Sequence, residues 1–145
     1  MARPTNSSSF QRTDVGTRAF LAQLVSFLYS GWGLGLSTVL IVSILYARTM
    51  APSIGGMIDS EELQHAAYEL GLAHQTGYPL YLLLGKVWTL VFPFGDIAFR
   101  MNWFSAVWAV GTVALTFTIL LRLTNHRIAS VLGALILATA KPFWT

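Results

Sequence analysis

Between Ile58 and Tyr81 the chain reads IDSEELQHAAYELGLAHQTGYPLY, a stretch that carries Asp59, Glu61, Glu62 and Glu69, four of the six acidic residues, together with His65 and His74. Carboxylates and imidazoles are the side chains that most readily take and return protons near neutral pH, so these residue types suit general acid–base work. Their spacing admits duller roles as well. Asp59 followed by Glu62 is D-x-x-E, close to a capping box, in which Asp59 would accept from backbone N–H groups at a helix start while Glu62 reaches back. On spacing alone capping ranks ahead of catalysis for Asp59, because caps are common and catalytic acids rare. Glu61 and His65 at i, i+4, or Glu62 and His65 at i, i+3, have the spacing of metal ligands. With no second copy and no H-E-x-x-H, a solvated ion pair is the better reading, and no metal site is assigned.

The surroundings of this segment decide where such chemistry would happen. The chain is 54% hydrophobic and 10% charged with a mean hydropathy of +0.60, against about 25% charge in an average soluble domain. This is the composition of an all-α integral membrane protein. A net charge of +3 does not indicate nucleic acid, because the nine Lys and Arg are scattered singly and form no basic run interleaved with aromatics. The absence of cysteine excludes disulfides and thiolate metal sites. Residues 1–18 are polar and Ser-rich, with Arg3, Arg12 and Arg18 against Asp14, and read as a cytoplasmic disordered tail.

Ala19 to Ala47 is 29 residues without a charge, about 43 Å of helix at ~1.5 Å per residue, and exceeds the 7 to 15 apolar residues of a cleaved signal peptide. It is expected to span at about residues 20–46. Its Gly31, Gly33 and Gly35 either let another helix approach closely or merely loosen a lipid-facing helix, and the second reading is preferred because the spacing is not GxxxG. Met101 to Leu121 is 21 uncharged residues, and Ile128 to Ala140 is 13 before Lys141 and Pro142; spans are expected at about 101–121 and 128–144. Tyr78 to Phe94 is ambiguous because Lys86 lies at its middle, where insertion costs about 2.5 to 3.5 kcal/mol.

Charge chooses the topology. If Tyr78 to Phe94 spanned, Arg122 and Arg127 would lie opposite Arg3, Arg12 and Arg18, against the positive-inside rule. Three spans with an outer loop at 48–100 put these five arginines inside and every acid except Asp14 outside. Within the loop, Leu63, Ala66, Ala67 and Leu70 follow i, i+3, i+4, i+7, so Ser60 to Leu70 predicts an amphipathic helix stopped by Gly71. Tyr81, Trp88 and Phe92 fall within roughly 40° on a second helix, a face of interface-seeking aromatics with Lys86 turned away. The turn HQTGYPLY delivers His74 between the two.

The strings APSIGGMIDSEELQHAAYELGLAHQTGYPLYLLLGKV and PFGDIAFRMNWFSA resemble the start of a family of bacterial polytopic membrane proteins related to animal protein O-mannosyltransferases, within the GT-C glycosyltransferase superfamily. The resemblance covers about residues 40 to 145. The family typically reads DSGE and HPPG, whereas this chain has Glu61 for the Gly and Gln75-Thr76 for the two prolines, which adds a carboxylate and loosens the turn. The resemblance implies the N-terminal part of a GT-C-like helical bundle, with three transmembrane helices and two horizontal helices in the first outer loop. It implies transfer of a sugar, possibly mannose, from a polyprenyl-phosphate donor to an acceptor hydroxyl on a protein or glycan, outside the cytoplasm of a bacterial membrane. Asp59 matches the motif's acid as general base. Glu62 matches the second acid and would bind acceptor or orient Asp59. His74 would contact the donor phosphate with Lys86 as a point charge, and Glu61 joins the substrate-binding set. The resemblance fixes no cofactor: the polyprenyl-phosphate sugar is the donor substrate and a divalent metal is left open, and the partners are the bilayer, the lipid-linked donor and the acceptor.

The competing class is a non-enzymatic transport or assembly subunit, whose charges should lie deep within spans; here they lie at the surface. The short last apolar segment and the ending KPFWT suggest an N-terminal piece, inactive alone, that lacks the helices needed to enclose donor and acceptor. The topology predicts that cysteines placed at Ser60 and Thr76 react with an impermeant thiol reagent in intact cells while one at Asn125 does not. Labelling at position 125 would restore Tyr78 to Phe94 as a span.

Overall fold

The computed structural model describes residues 20–23, 25, 26, 29–54, 58–75 and 77–144; the tail expected at residues 1–18 lies outside them. Residues 20–23 and 25–26 are helical, and the chain then forms helices α1 (Gly31–Thr49), α2 (Ile58–Glu69), α3 (Pro79–Val91), α4 (Ile97–Thr124) and α5 (Arg127–Thr139). No strand occurs among the described residues.

The first apolar run is not one helix. Ser30 is extended, with φ −67° and ψ 160°, and its Oγ accepts from the Gly33 N–H at 3.0 Å, which starts α1 afresh at Gly31. The guanidinium of Arg127 donates to the Tyr29 carbonyl at 2.9 Å, satisfying an acceptor that the break exposes. The apolar helix expected at about 20–46 is therefore shifted to Gly31–Thr49, 19 residues or about 28 Å. α4 contains the expected 101–121 stretch but runs for 28 residues, from an Asp96 cap whose Oδ1 accepts from Phe99 N–H at 2.7 Å to a left-handed Asn125. α1 and α4 are long and apolar enough to cross a membrane. Only 28% and 22% of their most apolar stretches are buried, unlike the core helix of a soluble domain. The expected third crossing at 128–144 is a helix only to Thr139, 13 residues or about 20 Å. Ala140 is extended ahead of Lys141-Pro142, and Pro142, which lacks an N–H and would clash with the preceding turn, cannot continue the helix without disrupting it.

Past α5 the chain folds back onto α1. The Tyr46 hydroxyl donates to the Ala138 carbonyl at 2.9 Å, the Trp144 ring stacks on Tyr46 at 3.6 Å between centroids, and Trp144 Nε1–H donates to Thr49 Oγ1. The end of α5 therefore lies beside the end of α1, and the Arg127 contact places the α4–α5 turn beside the start of α1. Val42, Tyr46, Val113, Phe117, Ala134 and Ala138 form the buried core between the three helices.

α2 and α3 pack on the first turns of α4 around Ala66, Ala67, Leu82, Met101 and Phe104. Of the α2 face expected from Leu63, Ala66, Ala67 and Leu70, the first three are covered by its own protein, whereas Leu70 lies past the end of the helix and is exposed. For α3 the expected orientation is reversed. Tyr81 and Trp88 pack against Phe104, and Trp88 Nε1–H donates to the Arg100 carbonyl at 2.9 Å. Leu80, Leu83, Val87, Leu90 and Val91 are the exposed side. Arg100 in turn donates to the carbonyls of Thr89, Pro93 and Gly95, closing the α3–α4 connection.

Of the two readings of the α1 glycines, close approach is the one observed. A Cβ on Gly35 would sit 2.6 Å from the Phe117 ring, so α1 and α4 meet where only glycine fits. Gly35→Ala is expected to destabilise the α1–α4 pair by about 1–3 kcal/mol, measured by denaturant titration in detergent. Unchanged stability would show that the helices do not pack through Gly35.

Candidate functional site

α2 ends by reversing the chain. Leu70, not Gly71, adopts the left-handed conformation at φ 54°, and the Gly71 N–H returns to the Ala66 carbonyl at 2.9 Å, the six-to-one bond of a Schellman motif. The reversed chain carries His74 back along α2 to Glu62. Glu62 Oε1 accepts the His74 backbone N–H at 2.6 Å, and Oε2 lies 2.9 Å from Nδ1. The backbone hydrogen bond first, then that of the ring, and lastly its charge, hold the Glu62 carboxyl below the usual range against an opposing desolvation effect. An ionised carboxylate only accepts, so Nδ1 carries the hydrogen of this contact and Nε2 is left without a partner among the described residues.

The capping box is not formed. Asp59 lies inside the first turn of α2, which begins at Ile58, and Glu62 is engaged by His74 instead of reaching back. Asp59 is exposed and has no hydrogen-bond partner among the described residues. With Glu61 it supplies negative charge to the first turn of α2, the favourable end of the helix dipole. Lys86 is drawn to the opposite end: its ammonium donates to the Tyr68 carbonyl and lies 4.6 Å from the centre of the Tyr68 ring. A cation here complements the carbonyl end of α2 and gains a cation–π contact. The structure thus brings Glu62 and His74 together, sets Asp59 about one turn ahead of Glu62 with Glu61 the residue next to it, and ties Lys86 to Tyr68. Among the described residues no three His, Asp or Glu side chains converge as a metal site would require.

Sequence reasoning missed the groups that hold α2 in place. Gln64 is buried and donates through Nε2 to Asn102 Oδ1 at 3.0 Å, while Asn102 Nδ2 donates to the carbonyls of Ala51 and Ser53 at 2.9 and 3.1 Å. Ser53 Oγ donates to Asp96 Oδ2 at 2.9 Å. The signal was present: Asn102 is the only carboxamide in Met101–Leu121, and such a group in an apolar helix needs partners.

Beside this assembly runs a groove of about 680 Å³, lined among others by Tyr78, Tyr81, Leu84, Phe104, Trp108 and Phe143. His74 meets Tyr78, one of the groove's lining residues, edge-on at 5.9 Å between centroids. The groove's walls are mostly apolar, and among their hydroxyls Tyr81 Oη and Ser105 Oγ lie 3.3 Å apart. Such a mostly apolar cleft with a few polar groups has the make-up of a small-molecule site.

Residues 59–145 match the family described as Protein O-mannosyl-transferase TMEM260 N-terminal domain. A Mus musculus protein named Protein O-mannosyl-transferase TMEM260 is 34% identical over 103 residues, 71% of this chain and 14% of that protein. The Dictyostelium discoideum protein of the same name is 33% identical over 89 residues, 58% of this chain and 10% of its own length. The chain therefore spans about a seventh or less of these relatives. No solved structure matches it.

The Glu62 contact sets a pH dependence. A carboxyl whose folded pKa is depressed contributes stability that is present above its unfolded value of about 4.3 and is lost as pH falls through the folded value. The His74 amide should be protected from hydrogen exchange at pH 6 and lose that protection only in acid, below the ordinary carboxyl range, as the carboxylate is protonated. A protection factor that stayed constant through that protonation would contradict the carboxylate's hold on the return loop.

Proposed function

The chain belongs to the Protein O-mannosyl-transferase TMEM260 N-terminal domain family, and from that premise we infer that it is the opening part of a membrane glycosyltransferase that moves a sugar, in our reading mannose, from a polyprenyl-phosphate donor to an acceptor hydroxyl. The observation that carries this reading is the seating of the acid-bearing α2 at the end of two apolar helices, beside a mostly apolar groove.

In this reading α1 and α4 cross the bilayer, α5 is a short third crossing, and the exposed aliphatic side of α3 lies in the interface. The N-terminus and the Arg122–Arg127 turn face the cytoplasm, and α2 faces the other side. The two relatives come from Mus musculus and Dictyostelium discoideum, so the reading keeps the sidedness and sets aside the bacterial membrane. Asp59 is the general base: exposed and uncommitted, it takes the proton as the acceptor oxygen bonds to the anomeric carbon. The bond from that carbon to the phosphate oxygen breaks, and its electron pair leaves with the polyprenyl phosphate. The apolar groove receives the prenyl chain and Glu61 borders the acceptor. Lys86 adds positive charge to the donor side only if the donor displaces it from Tyr68. The remaining parts of the pocket come from the rest of the complete protein.

In the complete protein Asp59→Asn is expected to lower sugar transfer by about 10²-fold or more while leaving thermal stability within about 0.5 kcal/mol, since it removes a base without removing a packing contact. Transfer near the wild-type rate would move the base to Glu61 or Glu62.

A further inference from the structure

Glu62, expected to bind acceptor or orient Asp59, is engaged here by His74. Both of its carboxylate oxygens are committed to one residue, Oε1 to the His74 amide and Oε2 to Nδ1. A two-point grip fixes both where His74 sits in the chain and how its ring is turned. The side chains of Glu62 and His74 remain 40% and 42% exposed, so the ring is held and still accessible. Tyr78 closes one edge of it and lines the groove.

We propose that Glu62 is a positioning residue that acts only through His74, presenting Nε2 as the single hydrogen-bonding atom offered to the phosphate of the lipid-linked donor at the groove mouth. The proposal rests on the glycosyltransferase reading above and adds the division of labour within it. Asp59 serves the acceptor side, and the Glu62–His74 pair serves the donor side. With Nδ1 committed to the carboxylate, a proton on Nε2 makes the ring a cation whose charge Glu62 balances. Nε2–H then donates to a phosphate oxygen that gains negative charge as the sugar departs. A carboxylate facing the phosphate directly would repel it; behind the imidazole it supports the donor.

The test uses the complete protein with a polyprenyl-phosphate mannose donor, comparing wild type, Asp59→Asn, Glu62→Gln, Glu62→Ala, His74→Ala and the Glu62→Ala/His74→Ala double variant. Glu62→Ala and His74→Ala should each raise the donor KM about 10- to 100-fold and leave the acceptor KM unchanged. The double variant should be no worse than His74→Ala alone. Glu62→Gln, which keeps size and one accepting oxygen, should show a smaller rise. It should also shift the ¹⁵N signals of the His74 ring away from the Nδ1–H pattern, a readout independent of turnover. A change in acceptor KM instead, or single-variant losses that multiply in the double variant, would overturn the proposal while Asp59→Asn remains inactive. A wild-type protein without transfer would overturn the glycosyltransferase reading and the donor role together.

Discussion

Asn102 donates to the carbonyls of Ala51 and Ser53 and accepts from Gln64, so one side-chain amide near the start of α4 ties three segments to the same point. The geometry of the acidic helix depends on this junction. The chain leaving α1 has no regular structure of its own at Ala51–Ile54, and these bonds hold it against α4. Each polar group here is partly or fully withdrawn from water, where a lost partner costs about 1–3 kcal/mol. Asp96 extends the junction, capping α4 through one carboxylate oxygen and holding Ser53 through the other.

From that anchor the site follows by short steps. α2 lies against α3 and α4 through small residues, Ala66 and Ala67. Its carbonyl end is met by Lys86, its reversal at Leu70 returns the chain, and Glu62 stops that return at His74. The turn then enters α3 through Gly77 and Tyr78, both at positive φ, 83° and 42°, which swings Tyr78 against His74 and over the groove. Gly77 adopts this conformation without cost, whereas Tyr78 strains to reach it. The acids, the imidazole and the apolar cleft are thus neighbours by construction, although they come from separate elements.

How much of this was legible in the sequence varies with the kind of question. The helical character of 58–69 and its Leu63–Ala66–Ala67 face are local properties, and periodicity reports them directly. The tight meeting of α1 and α4 at Gly35 was visible as an option but not decidable, since only the opposing Phe117 makes the glycine necessary. The aromatic stripe of α3 was read as interfacial. Periodicity defines a face but not what covers it, and here Phe104 and the Arg100 carbonyl claim Tyr81 and Trp88. The break at Ser30 was masked by an unbroken apolar run, because a serine cap inside such a run looks like any other small residue. Glu62 and His74 were each singled out, yet their pairing depends on a reversal at a non-glycine residue. A search for glycine stops placed that reversal one position too late.

The proposed donor site joins the Glu62–His74 pair to the α3–α4 groove. A polyprenyl-phosphate analogue carrying a photoreactive group in its first prenyl units, cross-linked to the complete protein and mapped by mass spectrometry, tests that directly. Adducts are predicted at Tyr78, Tyr81, Phe104 and Trp108, in competition with unmodified donor. Competed adducts confined to the outward faces of α1 and α5, at Leu36, Leu40 or Leu132, would contradict it.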